Sequence, residues 1–342
     1  MIKETIAKLV ERKDLTRGQA KQVMQEIASG EATMAQISAY LVAMRLKGET
    51  IDEISGSAEI MRQHATKINC DAKNLLDTCG TGGDRSHTFN ISTIAAFVAA
   101  GAGAVVAKHG NRAVSSKCGS ADLLKELGIN IEASAAVVEK CLKEIGIAFL
   151  FAPLLHQSMK YAAPVRREIG IRTIFNVLGP MTNPAAARHH LLGVFSADLT
   201  KVLAKVLGQL GSRHVLVVHG EDGLDEITTT TGTVISELKN SKVSTYRIKP
   251  ADFCIKKAKP SDLKGADAAF NAKLTIEILN GKKGPQRDVV ILNAGAALYA
   301  ADTARNIKDG VRLAAGAIDS GKAMEKLEAL KRITNEGSLR GA

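Results

Sequence analysis

The stretch Asn74-Leu75-Leu76-Asp77-Thr78-Cys79-Gly80-Thr81-Gly82-Gly83-Asp84 narrows most what this chain can become. A short apolar run enters a turn with three glycines in four positions, and glycine removes the side chains that would keep an anion away from backbone N–H groups. Beyond it, residues 87–93 lead into the small apolar run 94–100, which suits a helix, with Asn90, Ser92 and Thr93 as its candidate caps. Strand, glycine loop and helix N-terminus in that order make one phosphate site.

Glycine turns mostly just reverse a chain. A second loop changes the weight of the first. Lys108-His109-Gly110-Asn111-Arg112-Ala113-Val114-Ser115-Ser116-Lys117-Cys118-Gly119-Ser120 follows the strand-like residues 104–107, and its cations and neutral donors also suit an anion. Two such loops after consecutive strands imply a shared crevice at the carboxyl ends of a parallel sheet.

The first sixty-odd residues have a different character. Thr16/Gln19, Thr33/Gln36 and Thr50/Glu53 are capping boxes that mark helix starts, Gly30 and Gly48 supply stops, and Met34, Ile37, Leu41 and Met44 form one buried stripe. From Leu75 short apolar runs alternate with helical stretches, the sign of βαβ units. Further strands are expected at 148–151, 214–219 and 288–292, and a helix capped by Ser120 at 121–127. Residues 153–184 fit no period, and 243–284 read as peripheral strands and turns. The fold class is therefore α/β: a large domain with a mainly parallel central sheet flanked by helices, preceded by a small helical part, with a boundary near Asn69.

Composition removes other classes. The 342 residues contain no apolar run of membrane-spanning length and no signal-peptide-like start, so a cytoplasmic protein is expected. Five cysteines without C-x-x-C spacing indicate reduced thiols rather than a disulfide framework or zinc site. A net charge of +11 admits nucleic acid or a phosphorylated small molecule, but aromatics are only 4% and tryptophan is absent, which disfavours a base-stacking surface. Neither a dinucleotide fingerprint, a Walker loop nor a hydrolase elbow is present.

Residues 220–228 gather four carboxylates. Such a turn is ordinarily a solvated bend; its alternative is a magnesium site, for which Asp225 and Glu226 are the candidates, with a hydroxyl from Ser92. His109 and His156 are candidates for acid–base work against a structural alternative. His64, His189, His190 and His214 read as structural.

Taken together, Gly80-Thr81-Gly82-Gly83-Asp84, residues 108–116, Gly179-Pro180-Met181-Thr182-Asn183-Pro184 and Asp225-Glu226-Ile227-Thr228 resemble the anthranilate phosphoribosyltransferases, in order along the whole chain. Met181 stands where that family often has leucine. The resemblance implies transfer of the phosphoribosyl group of 5-phosphoribosyl 1-pyrophosphate (PRPP) to anthranilate, with release of pyrophosphate, in tryptophan biosynthesis by a magnesium-dependent homodimer.

It further implies that Gly80, Gly83, Asp84, Thr88, Asn90, Ile91, Ser92 and Thr93 hold PRPP, together with Lys108, His109, Gly110, Asn111, Arg112, Ala113, Val114, Ser115, Ser116 and Ser120. Lys108 and His109 would stabilise the transition state without any covalent nucleophile. Gly80, Asn111, Arg166 and His156 would meet anthranilate, and Ser92, Asp225 and Glu226 one or two Mg2+ ions. The implied domains are residues 1–68 with a helical insertion around 157–190, and 69–156 with 191–342. A pyrimidine nucleoside phosphorylase of the same architecture fits the His109-Gly110-Asn111 wording less well. A nucleic-acid-binding relative would be expected to lose the acidic turn or Arg166, so neither nucleic acid nor membrane is an expected partner.

Overall fold

The computed structural model describes residues 1–84, 86–113 and 117–336. Four helices open the chain: α1 (Ile2–Val10), α2 (Arg17–Ser29), α3 (Met34–Lys47) and α4 (Ile51–His64). All three expected capping boxes form, because each threonine hydroxyl accepts the N–H three residues on while that residue's side chain returns to the threonine amide. Glu53 does more than cap. Its buried carboxylate also accepts the Leu15 amide at 2.8 Å and the Lys47 ammonium at 2.9 Å, which fastens the α1–α2 link to α4.

The alternating part runs β1 (Leu76–Gly80), α5 (Ile91–Gly101), β2 (Val106–Gly110), α6 (Ser120–Glu126), α7 (Ala135–Ile145) and β3 (Ile147–Phe151). The short helices α8 (Ala152–Leu155), α9 (Ala163–Ile169) and α10 (Phe175–Met181) interrupt it. The chain then resumes with β4 (His189–Gly193), α11 (Asp198–Gln209), β5 (His214–Gly220), β6 (Thr233–Lys239) and β7 (Lys242–Ile248). It closes with α12 (Ala268–Leu279), α13 (Pro285–Ala300), α14 (Ile307–Asp319) and α15 (Lys322–Asn335). The sheet order is β3-β2-β1-β4-β5-β6-β7, parallel from β3 to β5 and antiparallel at β6 and β7.

Side chains alternate across the strands and so feed two cores. On β5, Leu216 and Val218 enter a core with α5 and α13, whereas Val215 and Val217 face a second core shared with α11. That second core continues into Leu41, Met44 and Ile54 of the first helices and into Val165, Leu178 and Met181 of α9 and α10. The interrupting helices therefore lean on the N-terminal ones. Among the described residues no helix is long and apolar enough to cross a membrane.

Several expectations are corrected. Residues 288–292 lie inside α13, not in a strand; an unbroken apolar run suits either, and this helix is buried on nearly every side. Strands β4 and β6 and helix α12 were not anticipated, so 243–284 is more than strands and turns. Met34 is exposed rather than part of the stripe. Gly119, not Ser120, caps α6, and Ser120 is its first residue. Asp77 to Gly80 belong to β1 and Lys108 to Gly110 to β2, so the loops are shorter than expected and those side chains stand on rigid strands.

Candidate functional site

Strand order reverses between β1 and β4, and in open α/β sheets ligands bind beyond the carboxyl ends at such a point. The last residues of the two strands, Gly80 and Gly193, are register partners. An added Cβ at Gly193 would run into the Asp225 carbonyl oxygen, and one at Gly80 would lie 2.8 Å from Asp225 Oδ2. The acidic turn thus lies directly on the ends of both strands. Gly193 was not singled out beforehand; a glycine closing the apolar run of β4 is its only signal in the chain.

The turn leaves β5 through Gly220 and Gly223, the latter at φ 93°. Asn293, inside α13, accepts the Ile227 amide at 3.0 Å and donates to its carbonyl at 2.8 Å, which fixes the backbone just after Glu226. The four carboxylates then separate. Glu221 pairs with Arg247 at 3.1 Å, and Asp222 accepts the hydroxyls of Thr228 and Thr230. Asp225 and Glu226 turn towards the strand ends, where Asp225 Oδ2 accepts the Gly82 amide at 2.8 Å and Glu226 Oε1 accepts the Ser92 amide at 3.2 Å.

Lys108 reaches the same place from β2. Its buried ammonium donates to the Thr78 carbonyl and lies 3.4 Å from Ser92 Oγ. Burial pushes its pKa down, opposed by Asp77 and the two acids of the turn. Asp225 is pushed up by burial and then by the charge of Asp84; Glu226 is pushed up by burial and then by Asp225. Asp84 Oδ2 is itself buried without a hydrogen-bond partner among the described residues. Asp84, Asp225 and Glu226 thus bring carboxyl oxygens together, with Lys108 next to the two acids of the turn, and oxygen donors of this kind suit Mg2+.

The other expected residues divide. Ile91 is in the core, and Thr93 Oγ1 is buried without a hydrogen-bond partner among the described residues. Asn90 precedes α5 but does not cap it with its side chain; it donates to the Cys118 carbonyl at 3.1 Å and accepts from Asn271 at 3.0 Å, joining the two loops to α12. Thr88 pairs with Lys264 in an isolated bridge. Gly83 lends its carbonyl to Arg172. In the second loop the Asn111 side chain accepts the Arg112 amide at 2.7 Å, and the Ala113 amide donates to Asp122 at 3.0 Å. Arg112 lies over Phe151 and 3.6 Å from Glu132. Val114, Ser115 and Ser116 lie outside the described residues.

The His109 and His156 rings meet at 5.1 Å, tilted by 58°. Burial lowers His109 to about 3, helped by the His156 charge, and lowers His156 to about 4. Both are neutral imidazoles near pH 7, and neither His156 nitrogen has a hydrogen-bond partner among the described residues. Arg166 on α9 lies 5.4 Å from the Phe175 ring centroid, and burial lowers its pKa.

A brace that sequence reasoning missed lies beneath these groups. Asn183 Nδ2 donates to Asp77 Oδ2 at 2.7 Å and to the Ala107 carbonyl at 2.9 Å, while Asp77 Oδ1 accepts the His109 amide at 3.0 Å. Burial raises Asp77 to about 6. Both residues stood in recognised motifs, but nothing local showed that one would hold the other.

Comparison with known proteins agrees with this layout. Residues 3–65 match the helical bundle domain of a glycosyl transferase family, and residues 72–324 match its a/b domain. An anthranilate phosphoribosyltransferase of Symbiobacterium thermophilum is 52% identical over 334 residues, covering 98% of each chain. The crystal structure of the Thermus thermophilus anthranilate phosphoribosyltransferase superposes with a TM-score of 0.92 at 41% identity, covering 96% of this chain and 99% of that one. The Saccharomyces cerevisiae enzyme in complex with PRPP and Mg superposes with a TM-score of 0.90 at 27% identity, covering 98% of both chains.

Proposed function

The chain belongs to the anthranilate phosphoribosyltransferases, and from that premise we propose how its crevice performs the transfer. The reaction moves the phosphoribosyl group of PRPP to the amine of anthranilate and releases pyrophosphate, a step of tryptophan biosynthesis dependent on Mg2+. The observation that carries the assignment of roles is the meeting of Gly82 and Ser92 amides, Lys108, Asp225 and Glu226 at the ends of β1 and β4.

In this reading Gly82 N–H, the α5 N-terminus at Ser92 and Lys108 receive the donor's phosphates. Asp225 and Glu226, with Asp84 beside them and Ser92 within reach, hold Mg2+, which when bound supplies positive charge to the leaving pyrophosphate. The barrier lies in the departure of that group, so positive charge held beside it lowers the barrier; the Gly82 and Ser92 amides, which donate to Asp225 and Glu226 here, would turn to the phosphates when those acids take the metal. Gly80, Thr88, Asn90 and the second loop from His109 to Ala113, with Ser120, complete the donor site.

Anthranilate is assigned to the side facing α9. A carboxylate-bearing acceptor needs a cation, and Arg166 is a partly buried guanidinium stacked on Phe175 that can offer it a fork. His109 and His156, neutral and tilted against each other, form an uncharged wall that orients an aromatic amine; Asn111 and Gly80 lie at its donor end. Asp77 and Asn183 hold the His109 backbone.

The proposal extends to a homodimer, supported by the exposed apolar side chains of Val10 on α1 and of Met34 and Leu46 on α3. It extends to a cytoplasmic enzyme, which the five unbridged cysteines suit. We also keep the division into a helical part, residues 1–68 with the insertion near 157–190, and an α/β part. Incubation with PRPP, Mg2+ and anthranilate tests the activity: anthranilate fluorescence is expected to fall, and no loss at high enzyme concentration refutes the reading.

A further inference from the structure

We infer that Arg172 is a positioning residue that ties the acceptor-binding arm to the donor-binding loop, an inference resting on the transferase reading above. Arg172 follows α9, whose end is set by Gly170 in the left-handed conformation, so it stands six residues after Arg166 on the same arm. It crosses to the glycine loop, where its guanidinium donates to the Gly83 carbonyl.

The approach is built rather than incidental. The Arg172 guanidinium lies 4.0 Å from the centroid of the Phe195 ring, a cation–π contact just past the end of β4. The Phe195 amide in turn donates to Thr81 Oγ1 at 3.3 Å, and the Thr81 amide donates to the Gly193 carbonyl at 2.9 Å. Gly83 has φ 78°, a conformation that favours glycine, and an added Cβ there would lie 3.1 Å from Arg172 Nη2, a tight contact.

The loop from Thr81 to Gly83 is thus held at one end by β4 and at the other by the arm that carries Arg166. Gly82 N–H, the proposed phosphate donor, lies between the two ties. Order in the donor loop and the position of the acceptor's arginine become one equilibrium, so each substrate senses a residue that contacts neither.

The test uses the full-length enzyme. In R172A the Michaelis constants for PRPP and for anthranilate are both expected to rise about tenfold, the worth of one charge-assisted hydrogen bond, with a smaller fall in kcat. Amide hydrogen exchange in the Thr81–Gly83 loop quickens. R172K restores part of both constants, because an ammonium over Phe195 can still donate to Gly83. F195L raises both by about threefold, the loss expected for one cation–π contact. R167A, an exposed arginine on α9, serves as the control and leaves both constants and the exchange unchanged.

A folded R172A with both constants within twofold of wild type, a rise confined to one substrate, or F195L at wild-type values would overturn the inference. If R172A does not fold, R172K and F195L decide it by the same constants. Failure of the wild-type protein to consume anthranilate would instead defeat the transferase reading, and the exchange comparison distinguishes the two failures.

Discussion

The backbone of Asp225 crosses the end of β4 where Gly193 has no side chain, and that contact brings the acidic turn onto the donor loop. The two segments are far apart in the chain, yet Gly193 joins them because its missing Cβ leaves room for the Asp225 carbonyl.

Gly193→Ala is therefore expected to push the turn off the strand ends. A methyl group placed onto a backbone oxygen forces the main chain to move, at a cost of about 1–3 kcal/mol. Chemical denaturation should show that loss, and the Mg2+ titration of turnover should shift to higher concentration. A fully stable variant with a normal metal titration would mean that the turn is held elsewhere.

Asp225→Asn combined with Glu226→Gln keeps the shape of the turn while removing both charges. Turnover should fall and its Mg2+ requirement should rise, whereas Asp222→Asn, which changes a carboxylate bound to threonines, should leave the metal titration alone. An unchanged titration in the double variant would reduce the turn to a solvated bend.

Acidity acts on the same pair. Both carboxyl groups are raised above their ordinary range by burial and by neighbouring acids, so protons compete with the metal for them. Apparent Mg2+ affinity should weaken as pH falls, and metal binding at constant pH should release protons. Calorimetry in buffers of different ionisation enthalpy measures that release, and a heat independent of buffer contradicts the assignment.

Arg166→Ala should raise the Michaelis constant for anthranilate far more than that for PRPP. One charged contact is worth about 1.5–3 kcal/mol, a factor of more than ten. Steady-state kinetics with each substrate varied in turn checks this, and equal effects on both would remove Arg166 from the acceptor site.

His156 gives a stability prediction. Its folded pKa of about 4 lies below the ordinary value of 6.5, so the unfolded chain binds the proton more readily in that window. Its contribution is fully present above pH 6.5 and is lost as pH falls towards 4. Wild type should lose stability over that interval relative to His156→Phe, by up to roughly 1.4 kcal/mol per pH unit. Parallel pH–stability curves for the two proteins would show that His156 is not buried as a neutral ring.

Local chemistry was readable where neighbours in the chain make the contact. The boxes at Thr16, Thr33 and Thr50 form because threonine and its partner lie three residues apart on one turn of helix. Two neighbouring parallel strands were likewise legible ahead of the polar loops, although each starts near the end of its apolar run and takes in the first residues of the loop. The first polar loop, Lys108 and the acidic turn meet beyond the ends of β1 and β4, where two such loops after consecutive strands were expected to lie together.

Other features depend on contacts between distant parts of the chain. Residues 288–292 became helix because α13 is enclosed by α5 and α14, an environment that an unbroken apolar run does not describe. Asp222 and Asp225 are chemically alike and three positions apart, yet one meets threonine hydroxyls and the other the Gly82 amide. Asn183 found Asp77, and Arg172 found Gly83, across 106 and 89 residues. A side chain's partner at such range is set by how the elements pack, and packing is a property of the assembled chain rather than of any stretch within it.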